Sequence, residues 1–319
     1  MKNLVFCCFA YKESFSGSVN IPYGKVKPIE VYLKNAFVAL KTTKLYNPAT
    51  DVALAVNFKI PDFYGELYKR SGIAVYECDF TDFVFPQGFS WSLAFYKLNA
   101  LKRLVAQTDY DNYIEIDSDV ICLGSLDEVW RELGEALMML SGPFSYNHPV
   151  RRSYSADAAR LFGISGRLVK YGSGFIGGSR DDLTELAAEC ERIYNVIRDS
   201  GFACGSDTGD ELITSIAALR FEVRDAKPYM DVYWTGKFYL ASTNYFYDKM
   251  CFLHLPNEKD RGIVRLFDYY IAKNRFPDNK RLYKILGFPK ARRPHFFAFA
   301  ARVLLEKVRH SLKPFGKES

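Results

Sequence analysis

The sequence predicts an α/β protein in which a mixed, mainly parallel sheet is flanked by helices. Residues 3–11, 51–58 and 73–78 are short apolar runs, as expected of strands that are buried on both faces. The segments between them, 29–45 and 63–71, carry apolar residues at helical spacing. The chain is 49% hydrophobic and 16% aromatic, which is enough to fill a sizeable core. Alternation of buried strand and helix is typical of a doubly wound sheet.

The later elements follow the same pattern. A helix is predicted over residues 92–107 and a strand over 113–116, and residues 120–122 are expected to continue that strand in extended form. Ser125 is a suitable N-cap for the helix that follows. The second half is predicted to contain a helix at 183–198 and short strands at 175–176, 221–224 and 252–253.

Composition and charge narrow the class of protein. The seven cysteines form no regular framework, which favours a reducing compartment, and no apolar run is long enough for a membrane-spanning helix. The net charge is +6, but residues 260–319 alone carry +10, so the rest of the chain is mildly acidic. We therefore expect no nucleic-acid partner.

Two acids, Asp117 and Asp119, stand at the end of the apolar strand 113–116. Carboxylates this close repel each other, and a divalent cation is the usual compensation. The carboxyl ends of strands are also where open α/β sheets bind ligands. Two acids at this spacing arise by chance in many chains, but the apolar strand before them and the helix after them favour a metal site.

The segment from Tyr113 to Trp130 (YIEIDSDVICLGSLDEVW) resembles the metal-site segment of glycosyltransferases with the Rossmann-like GT-A fold. The most similar family is glycosyltransferase family 8, which includes glycogenin and bacterial lipopolysaccharide glycosyltransferases. The resemblance covers roughly residues 3–262, and we interpret residues 1–262 as the catalytic domain. It implies that Mn²⁺ or Mg²⁺ is bound by Asp117, Asp119 and the late histidine His254.

The resemblance also implies a binding site for a nucleotide-sugar donor, with a UDP-sugar favoured. A cation before the metal strand contacts the donor diphosphate in that family, and Lys97 has this place here. Gly172-Ser173-Gly174 is similar to the family's segment under the donor sugar, although Gly172 replaces the usual Asn. The predicted donor-binding residues are Ala10, Tyr11, Lys97, Asp117, Ser118, Gly172, Ser173 and Gly174. Residues 12–27 are interpreted as a lid over the donor.

Catalysis is assigned to Asp207, Asp210 and Glu211, and the stretch Gly209-Asp210-Glu211-Leu212 falls where the family has its Asp-Gln-Asp segment. A retaining transfer is favoured, in which cationic groups stabilise the leaving diphosphate. The alternative is an inverting enzyme that uses Asp210 or Glu211 as the general base. The glutamate at 211, where the family usually has glutamine, keeps both outcomes open.

Residues 263–319 are predicted to be a basic, helical C-terminal extension. Within residues 290–319, a helix is predicted from about Pro294. This helix has a phenylalanine-rich apolar face and a basic face, a pattern typical of helices that lie on anionic membranes. Docking on the protein's own core is the alternative. The acceptor is expected to be a hydroxyl of a bacterial surface glycan or lipid-linked precursor. The expected location is cytoplasmic, peripheral to the inner membrane.

Three other classes of protein are less consistent with the sequence. A phosphatase of the haloacid-dehalogenase type places its two acids after the first strand of its domain, whereas Asp117 follows the fourth. A sugar-phosphate nucleotidyltransferase needs a glycine-rich basic loop after the first strand, and residues 12–27 match it poorly. A non-catalytic glycan-binding module would not need the acids or His254.

Overall fold

A computed structural model describes residues 1–12, 28–86, 88–142, 148–205, 208–235 and 247–288, together with the isolated residue 304. The strands in these residues are β1 (Asn3–Phe9), β2 (Asp51–Val56), β3 (Ile73–Glu77), β4 (Asn112–Ile116), β5 (Val120–Cys122), β6 (Leu137–Ser141), β7 (Tyr171–Ser179), β8 (Val223–Asp225), β9 (Met230–Val232) and β10 (Phe252–His254). The α-helices are α1 (Pro28–Tyr46), α2 (Asp62–Arg70), α3 (Tyr96–Gln107), α4 (Asp127–Leu133), α5 (Pro149–Phe162), α6 (Arg180–Asp199), α7 (Asp210–Ala217), α8 (Gly262–Lys273) and α9 (Asn279–Ile285).

Within the described part of the chain, the central sheet has seven strands in the order β3-β2-β1-β4-β7-β6-β8. Strands β3, β2, β1 and β4 are parallel to one another, and β6 is parallel to β8. Strand β7 runs antiparallel to both of its neighbours. This arrangement confirms the predicted α/β class with a mixed, mainly parallel sheet flanked by helices.

Both faces of the sheet are covered, because successive strand residues point to opposite sides. In β1, Val5 and Cys7 join a core cluster with α1, α2, α8 and α9, whereas Leu4 and Phe6 join a second cluster with α3, α6 and α7. These residues are almost completely buried. The continuous apolar run in the sequence therefore reflects a strand with no solvent-facing side.

Strand β5 corrects the prediction that residues 120–122 continue β4. A turn separates the two strands, and in it the Val120 N–H donates to the Asp117 carbonyl oxygen at 3.2 Å. β5 then pairs with β10 in a separate three-stranded sheet of order β5-β10-β9, with Val120 opposite His254. The backbone groups of residues 120–122 pair with those of β10 instead of with the main sheet, so the chain bends directly after Asp117.

Two helix starts also differ from the prediction. α3 begins at Tyr96, and the four residues before it form turns instead of the predicted first helical turn. α4 begins at Asp127 with Leu126 at the cap position. Ser125 still accepts a hydrogen bond from the Asp127 N–H at 3.1 Å, so its hydroxyl satisfies an orphan helix donor from one residue further out.

The first part of the predicted C-terminal extension packs on the core. α8 lies against α1, where the ring of Phe37 is 5.4 Å from that of Phe267 and 5.1 Å from that of Tyr270. Lys34 also pairs with Asp268 at 2.9 Å. The predicted membrane-binding segment 290–319 lies outside the described residues except for position 304. Among the helices that the structure describes, none has the length and apolar character needed to cross a membrane.

Candidate metal centre

Two carboxylates and an imidazole meet at the carboxyl end of β4. The turn that begins at Asp117 carries Asp119 out of the main sheet, and the Leu255 N–H donates to the Asp119 carbonyl oxygen at 2.9 Å. This hydrogen bond holds the end of β10 alongside the turn. The Nε2 of His254 consequently lies 3.4 Å from Oδ2 of Asp117 and 3.4 Å from Oδ2 of Asp119.

These three side chains can hold a metal ion. One ligand atom from each lies within 4.8 Å of the others. Asp119 and His254 are buried, whereas the Asp117 side chain is 29% exposed, so solvent reaches the group from the Asp117 side. Carboxylate oxygens and an imidazole nitrogen are common ligands of divalent cations. The structure thus brings together the three residues that the sequence predicted as metal ligands.

Neighbouring cations keep both aspartates ionised. Burial would raise the pKa of Asp117, but Lys97 and His254 bring that pKa below its usual value. Burial would likewise raise the pKa of Asp119, and there Lys259 and His254 outweigh it. For His254, burial would lower the pKa, yet Asp119 and Asp117 raise it above its usual value. The ligand group therefore presents the two ionised carboxylates that metal binding requires.

Lys97 lies beside the carboxylates at the start of α3. Its Nζ is 2.7 Å from Oδ1 of Asp117, 3.7 Å from Oδ2 of Asp210 and 3.8 Å from Oε2 of Glu115. It also donates to the Gly172 carbonyl oxygen at 3.4 Å. Burial would lower the pKa of Lys97, but the three carboxylates raise it well above its usual value, so the ammonium group is charged.

Lys259 and Glu115 belong to the site although neither is among the predicted site residues. The Lys259 Nζ lies 3.2 Å from Oδ2 of Asp119 and 5.6 Å from the ring centre of Tyr32. Glu115 is fully buried in β4. In the sequence, Lys259 could have been recognised as a lysine five residues after His254, and Glu115 as an acid inside an apolar strand.

Carboxyl groups outnumber lysines around the ligands. The set comprises Glu115, Asp117, Asp119, Asp210 and Glu211, with Lys97, Lys170 and Lys259 as the partners. Burial raises the pKa of Glu115 to about 8 and that of Asp210 to about 7, although Lys97 opposes both shifts. A divalent cation held by Asp117, Asp119 and His254 would favour the ionised forms of these neighbouring carboxyl groups, so the residues present fit the predicted metal.

The two predicted catalytic acids of α7 point to different partners. Asp210 is buried and lies near Lys97, on the side of the metal ligands. Glu211 pairs with the Nζ of Lys170 at 2.8 Å and accepts a hydrogen bond from the Tyr154 hydroxyl at 3.4 Å. Burial would raise the pKa of Glu211, but Lys170 brings it below its usual value. The third predicted acid, Asp207, lies outside the described residues.

The glycines of β7 make room for the site's own side chains. Gly172 (φ +96°) and Gly174 (φ +97°) both have backbone conformations that L-residues rarely adopt. A Cβ atom at position 174 would lie 2.7 Å from Nδ1 of His254 and 3.1 Å from Oδ2 of Asp117. A Cβ atom at position 172 would lie 2.8 Å from Oγ1 of Thr214 on α7.

The two later glycines of the strand have a different role. A Cβ atom at Gly177 would lie 3.1 Å from the Leu133 side chain, and one at Gly178 would lie 2.7 Å from the Leu137 side chain. These glycines permit close packing of β7 against neighbouring leucines, so the space they leave is filled by the core.

The remaining predicted donor-binding residues lie at or near the same edge of the sheet. Ser118 is buried in the turn after β4, and Ser173 lies between the two site glycines in β7. Ala10 and Tyr11 follow β1, which is parallel to β4 and ends at the same edge. The Tyr11 N–H donates to the side chain of Asn57 at 2.8 Å. Residues 13–27, most of the predicted lid, lie outside the described residues.

Comparison with protein-family models finds no family that matches this chain, and comparison with curated proteins finds no matching relative.

Proposed function

We propose that this protein is a metal-dependent glycosyltransferase of the GT-A type, which transfers a sugar from a nucleotide-diphosphate sugar to a hydroxyl group. The observation that carries the proposal is the convergence of Asp117, Asp119 and His254 at the carboxyl end of β4, with a lysine on either side. UDP is the favoured nucleotide, and Mn²⁺ or Mg²⁺ the favoured cation.

The chain's own groups suit the departure of a diphosphate. Asp117, Asp119 and His254 would hold the cation, which supplies positive charge to the diphosphate oxygens when bound. Lys97 and Lys259 add two buried ammonium groups close to these ligands. In such an environment, fixed positive charge stabilises a leaving anion more than it does in water.

The transfer exchanges one carbon–oxygen bond for another. The bond between the anomeric carbon and the diphosphate oxygen breaks, and its electron pair stays on the diphosphate. The acceptor oxygen bonds to the anomeric carbon and loses its proton. In the retaining reaction that we favour, the leaving diphosphate oxygen takes this proton.

An inverting reaction is the second candidate, and one observation selects its base. Asp210 is buried beside Lys97 and has a pKa of about 7, in the range suited to a general base at neutral pH. Glu211 is bound to Lys170 and Tyr154, which makes it the weaker choice. The anomeric configuration of the product separates the two reactions.

The deciding experiment incubates the protein with a panel of UDP- and GDP-sugars and Mn²⁺, and follows release of the nucleoside diphosphate. We expect turnover of at least one UDP-sugar that stops on chelation. Asp119→Ala should abolish turnover, whereas Asp199→Ala, at an exposed position at the end of α6, should leave it unchanged.

Each failure of this experiment supports a different class of protein. Metal-dependent binding without turnover of any donor would support a glycan- or nucleotide-binding module. Hydrolysis of a simple phosphomonoester with no turnover of nucleotide-sugars would support a phosphatase. A fully active Asp119→Ala variant would remove Asp119 from the metal site.

We further propose a surface-glycan or lipid-linked acceptor and peripheral association with the cytoplasmic face of the inner membrane. The support is the basic, phenylalanine-rich sequence of residues 290–319. Truncation after Lys290 should abolish sedimentation with anionic phospholipid vesicles and leave donor hydrolysis unchanged. Equal sedimentation of the truncated and full-length proteins would contradict this proposal.

A further inference from the structure

Glu115 is an acid in the middle of the central sheet. Its backbone lies opposite Phe6 of β1 on one side and Ile176 of β7 on the other, and the residue is fully buried. The flanking strand residues, Ile114 and Ile116, are apolar. Burial of a carboxyl group costs several kcal/mol unless a partner compensates, so packing alone does not explain an acid here.

The partner of Glu115 is the ammonium group of Lys97. Strand periodicity places Glu115 and Tyr113 on the face of the sheet that α3 covers, and Lys97 extends from the first turn of α3. Oε2 of Glu115 lies 3.8 Å from the Lys97 Nζ and makes no hydrogen bond with the described residues. Oε1 lies 3.7 Å from Sγ of Cys8, which donates to it.

The two carboxylate oxygens of Asp117 have different partners, and Lys97 is one of them. Oδ1 of Asp117 lies 2.7 Å from the Lys97 Nζ, whereas Oδ2 lies 3.4 Å from Nε2 of His254. The ion pair with Lys97 fixes the rotation of the carboxylate, so that Oδ2 faces the other metal ligands. Outer partners of this kind commonly orient the ligands of a metal.

We propose that Glu115 is a positioning residue of the metal centre, which acts through Lys97. Glu115 holds the ammonium group on the sheet side, Lys97 holds Oδ1 of Asp117, and Oδ2 is thereby aimed at the cation. This inference rests on the metal site of the proposed function and does not depend on sugar transfer.

The test measures the affinity for Mn²⁺ alone, by the electron paramagnetic resonance signal of the free ion. Glu115→Gln keeps the size of the side chain but replaces the carboxyl group that partners Lys97 with an amide. We expect Mn²⁺ to bind about tenfold more weakly, within the range typical of outer partners of a metal. The matched control is Glu189→Gln, which removes a similarly buried carboxylate that pairs with Arg192 and Arg220 on the surface of α6. This control should leave the affinity within twofold of the wild type.

A double-mutant cycle with Lys97→Met shows whether the effect passes through Lys97. We expect Glu115→Gln to cause no further loss of affinity when Lys97 is already absent. An equal loss in both backgrounds would overturn the proposal in favour of direct charge attraction, and an unchanged affinity of the single variant would overturn it altogether. Lys97→Gln replaces Lys97→Met if the latter does not fold. Mn²⁺ affinities that follow this pattern without donor turnover would reject the proposed transferase and retain the role of Glu115.

Discussion

The protein has two pairs of acids whose members are near neighbours in the sequence, Asp117 with Asp119 and Asp210 with Glu211. In the structure the side chains of the two pairs are directed differently. The first pair converges, because both carboxylates contact the imidazole of His254. The second pair diverges, because Asp210 lies near Lys97 whereas Glu211 pairs with Lys170. Acids in one short segment therefore do not necessarily share a site.

Backbone geometry explains the difference. Neighbouring residues on a helix point about 100° apart, so the first turn of α7 sends its two acids to different partners. The turn after β4 and the departure of β5 from the main sheet fold the two aspartates toward β10. The first pair can therefore bind one cation, and the second pair serves two neighbouring groups of charges.

The largest expected effect comes from breaking the convergent pair. Asp119→Asn keeps the shape of the side chain but removes a charged ligand. We expect the Mn²⁺ affinity to fall by more than about 100-fold, beyond the range typical of outer partners. Glu211→Gln is the matched variant from the divergent pair, and it should leave the affinity within about threefold. Isothermal titration calorimetry measures both, and equal losses would show that the two pairs form one site.

A smaller effect is expected from filling the space in which Asp117 and His254 meet. Gly174→Ala places a methyl group against both side chains, so we expect Mn²⁺ affinity to fall about tenfold, as when an outer partner is lost. The control is Gly163→Ala at the end of α5. Gly163 also has positive φ (+67°), but among the described residues, apart from its neighbours along the chain, no heavy atom lies within 4 Å of an added Cβ.

Both alanines adopt a backbone conformation with positive φ, which costs an L-residue about 1–3 kcal/mol of stability. Only Gly174→Ala should weaken metal binding. The same affinity in the two variants would show that Gly174 is required for its backbone conformation alone.

Folding stability, and not metal affinity, should respond to the charge of Asp210 in the metal-free protein. Burial raises the pKa of this carboxyl group from 3.8 to about 7, so the folded protein holds the proton more tightly than the unfolded chain. The wild type should therefore lose stability relative to Asp210→Asn as the pH rises from about 4 to 7. The difference should grow by up to about 1.4 kcal/mol per pH unit and become constant above pH 7. Urea unfolding in the presence of a chelator measures it, and a difference that does not vary with pH would contradict the raised pKa.

The parts of the fold that depend on local sequence were predictable. Strands β1 to β4 are apolar runs with helices between them, and their assignment as buried strands of a mainly parallel sheet follows from that alternation. β6 (LMMLS) and α5 also carried local signals, namely an apolar run and a helix with Pro149 at its start and Gly163 at its end. Neither β6 nor α5 is among the elements predicted from the sequence. The path of β5 was not predictable locally, because its partner β10 lies far away in sequence.

The site divides in the same way. The convergence of Asp117, Asp119 and His254 was predictable because acids after a strand and a late histidine are visible as a pattern. Lys259 and Glu115 were missed because their roles depend on ion pairs across the fold. The contact between Lys259 and Asp119 joins residues from different halves of the chain. The spacing of residues in the sequence does not indicate such a contact.

The pairing of β5 with β10 also has a consequence for how the chain folds. Residues 120–122 pair with residues 252–254, so the chain between them forms a long loop. Closing this loop costs conformational entropy before the contacts of the pairing compensate for it. The three residues that could hold a metal lie on the two sides of this closure, so the complete group exists only in chains that have achieved it. A cation that binds these ligands stabilises the closed chain by mass action. Metal uptake during refolding would therefore mark the moment at which the two halves of the protein come together.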